Sequence, residues 1–454
     1  MRMILFLASL LCVALLLYAP LDTFRLQEYH RHQKSYRDAK IEVAKTESQR
    51  EEAKKYPIKI RQIVLPELNR IDRCTSCHVG LEDPAMKDAE NPIRTHPGNY
   101  LAHHDIQKVG CTVCHDGQGR ALIADDAHAV GLSTWEKPLL YPPFIQANCL
   151  RCHDVGELPG LEIIQKGSEL FNTRGCMGCH KLDGKGGQVG PDLTHIADAS
   201  THLKQPKNHS DDESPSSLFH DNKNLAYIYE SIKSPDAQPA TTAMMDFEFS
   251  DEEVLALTVF LKGLSKREVP ASYVMKRYTR RQRNGELTGE NLFSKYCVAC
   301  HGQGGKGGVE NPNYGKGTVP PLNTLAEKLF LEYEEDAEYL SELLSEGIDI
   351  ENMEEPLDVD GRARVLAQYR AIKDVIKKGS VAGKAEEGGH PALLNMPAWK
   401  TGGLGDADID SILSYLLLQF PWEGDLDVEE GSDEDSDEDS DEDVEEEELE
   451  EQDE

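Results

Sequence analysis

The chain of 454 residues has almost no cysteine to spare, since of eleven only Cys12 stands outside a repeated pattern. Without loose thiols there is no stock from which to build a disulfide framework. Positive charge is in deficit too, with 48 Lys and Arg against 82 Asp and Glu and a net charge of -34. That balance argues against nucleic acid as a partner, and a basic protein partner would suit it. Methionine is nearly missing from residues 57–158, where Met86 is the single one, and so is periodic apolar sequence. Such a segment buries few side chains against each other, so something else must fill its core.

What is present is the pentapeptide Cys-x-x-Cys-His, five times: Cys74–His78, Cys111–His115, Cys149–His153, Cys176–His180 and Cys297–His301. The two thiols bond covalently to the vinyl groups of a haem and the adjacent imidazole ligates its iron. Zinc would need the pairs assembled two by two, and five is odd. Neither zinc nor a disulfide, for which cysteines three apart are poorly placed, requires histidine after every second cysteine. The expectation is five covalently bound haem c groups. Cys74, Cys77, Cys111, Cys114, Cys149, Cys152, Cys176, Cys179, Cys297 and Cys300 would attach them, with His78, His115, His153, His180 and His301 as proximal ligands.

The length allows about three domains, and a mostly α fold is expected. Residues 1–24 carry a short basic start and the apolar run Ile4 to Ala19, extended by Leu21 and Phe24. No small-x-small exit precedes Pro20, so an uncleaved signal anchor is favoured over a cleaved leader. Basic residues follow the span (Arg25, Arg31, Lys34, Arg37, Lys40), against the usual charge bias. That bias is overridden because haem is stitched to thiols outside the cytoplasmic membrane, and Glu28, Asp38 and Glu42 dilute the charge.

Residues 25–56, polar on every side, read as a solvated helical stalk, and 57–158 as a trihaem domain whose haems form most of its core. Residues 159–265 begin with an apolar-periodic helix (Leu170, Phe171) and end with another (Val254, Leu255, Leu257, Phe260, Leu261) started by Ser250 and Asp251-Glu252-Glu253. Residues 286–422 repeat the plan with Leu292 and Phe293, then Ile409, Ile412, Tyr415 and Leu416. Residues 266–285 form a basic linker. The tail, 423–454, contains 21 acidic and no basic residues from 425 onward and should be disordered.

These two later units resemble class I monohaem cytochromes c. The family's proline turn over the proximal histidine is matched by Gly190-Pro191-Asp192-Leu193 and by Pro320-Pro321-Leu322. Its carbonyl would orient the imidazole. The family's distal methionine stretch is matched by Met396-Pro397-Ala398-Trp399 and, less closely, by Met244-Met245-Asp246-Phe247. The resemblance implies Met396 and Met244 as sixth ligands, with Met245 the neighbouring alternative. About 60 additional residues (327–390) in the last unit read as helices covering one edge. For the first three irons, the spare histidines are His96, His103, His104 and His128. Three are needed, and His96, His104 and His128 are the set favoured over one containing His103.

Residues 57–158 also resemble the trihaem portion of multihaem cytochromes that accompany quinol-oxidising cytochrome b complexes. The residues carrying this are the first three motifs, Thr95-His96-Pro97, Gly110 to Gly119 and Ala127-His128. The likeness implies a membrane-anchored electron-transfer subunit, not itself an enzyme, with its haem domains in the periplasm or outside. Its partners would be a cytochrome b/Rieske-type membrane complex and a soluble, basic electron carrier. The alternatives are a peroxidase or nitrogen- or sulfur-oxide reductase with one open haem, and a conduit to extracellular acceptors.

Overall fold

The computed structural model describes residues 2–21, 27–129, 135, 137–153, 160–198, 219, 222–235, 244–266, 269–270, 273 and 288–422. The expected acidic tail and nearly all of the basic linker lie outside the described residues. Among the described residues helix dominates, and the strands are two short antiparallel pairs. The first helix, α1 (Arg2–Leu21), is 20 residues long and exposes the apolar side chains from Met3 to Tyr18. At 1.5 Å per residue it reaches about 30 Å, the thickness of a hydrocarbon core.

Residues 25–56 are not solvated on every side. Helix α2 (Glu28–Val43) is followed by α3 (Glu47–Lys54), begun by a Thr46 capping box. Tyr29, Gln33 and Tyr36, one face of α2, are buried against the region of the first motif. The expectation failed because that face buries through polar atoms, which hydropathy does not register. Gln33 Nε2 donates to Lys59 O at 2.7 Å and to Ser76 O at 2.8 Å, and Tyr36 donates to Asp83 at 2.7 Å.

Among the described residues of 57–153 there is one hairpin, β1 (Ile63–Leu65) with β2 (Arg70–Asp72), and otherwise single helical turns. Their own apolar cluster is small: Ile63, Leu65, Leu68, Ile106 and Val113. Leu140, Phe144 and Ala147 belong instead to the large core of the units that follow. The turn Gln146–Cys149 packs on a later helix, so packing continues across the sequence boundary at 158.

The second unit crosses α4 (Glu162–Thr173) with α6 (Asp251–Lys262), while α5 (Lys223–Lys233) packs on α6. Ser250 caps α6 in a reciprocal box with Glu253. The third unit crosses α7 (Gly289–Tyr296) with α10 (Asp406–Leu417). Both crossings pivot on a glycine. A Cβ on Gly167 would lie 2.0 Å from Ala256 O, and one on Gly289 would lie 1.8 Å from Ser411 O. Leu170 and Phe171 follow Gly167 at the same spacing as Leu292 and Phe293 follow Gly289. The extra residues of the third unit supply α8 (Glu334–Ser345), buried on α10, and α9 (Arg362–Lys378), which buries only Val365 and Tyr369.

Candidate haem sites

All five motifs close the same single turn. The backbone N–H of His78, His115, His153, His180 and His301 donates to the carbonyl of the first cysteine, at 2.9–3.0 Å in every case. In a helical turn, positions i, i+3 and i+4 share a face. Two sulfurs and one imidazole therefore come to one side of each loop, which is the arrangement a doubly thioether-linked, histidine-ligated macrocycle needs.

The second imidazoles are also in place. His128 lies across from His78 with ring centroids 6.3 Å apart, His96 across from His115 at 6.1 Å, and His104 across from His153 at 5.9 Å. Two imidazoles bonded to one metal at about 2 Å each, plus half a ring on either side, put their centroids about 6 Å apart. His103 is exposed on the far end of its turn, while His104 Nδ1 donates to Tyr100 O at 3.0 Å. Among the described residues no three His, Cys, Asp or Glu side chains converge as an all-protein metal cage. Pairs facing across a gap are what a tetrapyrrole supplying the other four donors would leave.

Three of the five proximal rings lean on a proline carbonyl. His180 Nδ1 is 2.9 Å from Pro191 O, His301 Nδ1 is 3.2 Å from Pro320 O, and His78 bonds the backbone of Pro92. This fixes the tautomer and leaves Nε2 for iron. A Cβ on Gly190 would strike the His180 ring at 2.5 Å, so the turn lies flat against the imidazole. Burial lowers the pKa of His115, His128, His180 and His301, and takes His78 down to about 4, which keeps these rings neutral as ligands. Burial also lifts the thiols of Cys149, Cys176 and Cys297 to about 12. Surroundings that penalise thiolate suit neutral thioethers better than zinc.

Met396 is half-buried and pinned. It forms a backbone bridge with Ser380, N–H to carbonyl at 3.0 Å both ways, and Asn311 clamps Leu394 at 2.8 and 2.9 Å. Met244 and Met245 are both half-buried at the start of the described segment leading into α6.

Several bracing residues escaped the sequence reading. Asp72 is fully buried and accepts from Cys111 N (2.6 Å), Thr112 N (3.0 Å) and Thr112 Oγ1 (2.7 Å), fixing the second motif. Gly110 and Gly119, either side of that motif, are where the Asp72 carboxylate fits: a Cβ there would lie 2.4 and 2.2 Å from its oxygens. Arg151, inside the third motif, donates to Val113 O at 2.6 Å and pairs with buried Asp116 at 2.7 Å, tying motif three to motif two. The glycines flanking motif two were a visible signal for Asp72; nothing local announced Arg151.

Residues 164–265 match the family described as Cytochrome c, and residues 285–416 match the family described as Cytochrome C oxidase, cbb3-type, subunit III. The chain carries two cytochrome c domains. Neither a curated protein nor a solved structure matches it significantly. The two matched units imply covalently bound haem c, a group that moves electrons singly, and the motifs Cys176–His180 and Cys297–His301 lie inside them. The protein's part is to hold, orient and shield that group.

Proposed function

We propose that this cytochrome carries five haems c and is an electron-transfer subunit anchored by α1 in the cytoplasmic membrane. It relays electrons from a quinol-oxidising cytochrome b/Rieske-type complex to periplasmic carriers. The observation that carries this reading is the facing of three histidine pairs at 5.9–6.3 Å. With Met244 and Met396 closing the other two irons, no face remains for a substrate, and the protein conducts rather than catalyses.

The motifs run in sequence order. Cys74 of the first shares a hydrogen bond with Cys111 of the second, and Cys114 of the second neighbours Cys149 and Cys152 of the third. The third sits on α6 of the unit holding the fourth. Helix α2 begins seven residues after α1 ends, at most about 25 Å of chain, and packs on the first motif. The bis-histidine group is thus the membrane-proximal end. Thioether ligation raises potential relative to a second imidazole, so electrons run from motif one toward motif five. The oxidase family matched by residues 285–416 favours a membrane oxidase as a second candidate acceptor at that end.

The test is purification from membranes, identification of co-purifying subunits and a potentiometric titration followed by absorbance. Five low-spin haems, three titrating below the other two, and a cytochrome b partner are expected. A high-spin component with peroxide turnover would overturn the reading in favour of an enzyme, and a bis-histidine haem at the highest potential would overturn the direction.

A further inference from the structure

The two cytochrome c units do not merely adjoin; they meet through their haem-attachment loops. A Cβ built on Gly175, just before the fourth motif, would sit 2.6 Å from the backbone nitrogen of Ala299 and 2.8 Å from its Cβ, inside the fifth motif. A Cβ on Gly178, within the fourth motif, would sit 2.9 Å from Tyr296 O. Tyr296 in turn meets Trp399, three residues beyond Met396, edge-on at 5.4 Å. At the centre, Cys179 and Cys300, the second cysteines of the two motifs, share a hydrogen bond. In the mature protein these thiols stand for thioether sulfurs, each bonded to the edge of its own haem.

We infer that the haems of motifs four and five form one electronically coupled pair, joined edge to edge across Cys179 and Cys300, with Gly175 and Gly178 as the positioning residues that let the loops close. Gly175 has φ +74°, a conformation that itself favours glycine. A side chain at either position would push the two loop backbones apart. Transfer across the contact oxidises one iron from ferrous to ferric as its neighbour is reduced from ferric to ferrous, and no bond or proton changes place. This rests on both units holding haem c and on the relay reading only for the direction of flow.

The experiment is Soret-region circular dichroism on the full-length, haem-loaded protein, comparing wild type with Gly175→Val, Gly178→Ala and Gly184→Ala. Gly184 also has positive φ (+76°) but nothing within 4 Å of a built Cβ, so it applies backbone strain without a wedge. Two coupled haems give a bisignate band. Gly175→Val should remove most of that component and Gly178→Ala part of it, while Gly184→Ala keeps it and all variants retain wild-type haem content. A wedge variant with full haem and an undiminished band would overturn the inference, as would equal loss in Gly184→Ala. If Gly175→Val fails to mature, Gly178→Ala decides, because it asks only for a small shift of one carbonyl. An open catalytic haem would show as high-spin absorbance with this band intact, so failure of the relay reading and failure of the coupled pair are separately visible.

Discussion

The half of the chain holding motifs one to three and the half holding motifs four and five use the same pentapeptide turn in different surroundings. Around motifs one to three, five apolar side chains form the local cluster, and the framework is held by buried polar braces: Asp72, Gln33 and the Arg151–Asp116 pair. Around motifs four and five, one apolar core runs through α4, α5, α6, α7, α8 and α10, and the haem loops are set into it. A bound group can thus be the core of a domain or be added to a core that side chains already make. The first arrangement couples the integrity of each site to its neighbours; in the second, a core of side chains holds each attachment loop, even where the two loops touch.

The largest difference should appear when one haem is withheld. Replacing Cys111 and Cys114 together by alanine removes the second haem, and the damage should spread. His78 and His153 should lose their opposite ligands, which carbon monoxide binding at the remaining irons would reveal. Replacing Cys297 and Cys300 should leave the unit at 162–265 with intact ligation and protease resistance. Equal spreading in both halves would erase the contrast. Next in size is Arg151→Met. It strands the Asp116 carboxylate, 4 % exposed, without its partner, at a cost of about 3–5 kcal/mol, measured by thermal or denaturant unfolding of the loaded protein.

The sequence spacing made the half holding motifs four and five largely legible. Leu170 with Phe171 and Leu292 with Phe293 lie on buried helix faces, and the turns at Pro191 and Pro320 carry carbonyls within reach of His180 and His301. Histidine supply gave the distal candidates His96, His104 and His128, but their assignment to particular irons was not legible. Which imidazole faces which depends on how turns with few local contacts fold over one another. The α2 face was misjudged because Tyr29, Gln33 and Tyr36 bury through hydrogen bonds and aromatic surface within a run that is polar on average.

A third test exchanges the ligand chemistry of the halves. Met396→His should place an imidazole where the thioether stood and lower the potential of that one haem toward the bis-histidine group. The charge-transfer band of methionine-ligated ferric haem should fall by one site's share. If neither potential nor band moves, Met396 is not a ligand, and the proposed rise in potential along the chain loses its last step.

The smallest effect concerns how the first motif is tied to α2. Tyr36 donates to Asp83 Oδ2 at 2.7 Å, and Lys40 donates to the same oxygen at 2.8 Å. Tyr36→Phe keeps the buried ring against Tyr56 and leaves Asp83 its lysine, so the loss should be about 1 kcal/mol. Gln33→Leu should cost more, because Lys59 N and the carbonyls of Lys59 and Ser76 all lose a partner in a buried place. If α2 docks as a unit, both variants should loosen residues 27–43 in hydrogen exchange, and Gln33→Leu should also disturb the His78–His128 haem through Ser76 inside its attachment loop. A disturbed haem spectrum after Tyr36→Phe but not after Gln33→Leu would mean that Asp83, rather than the motif backbone, links α2 to the first iron.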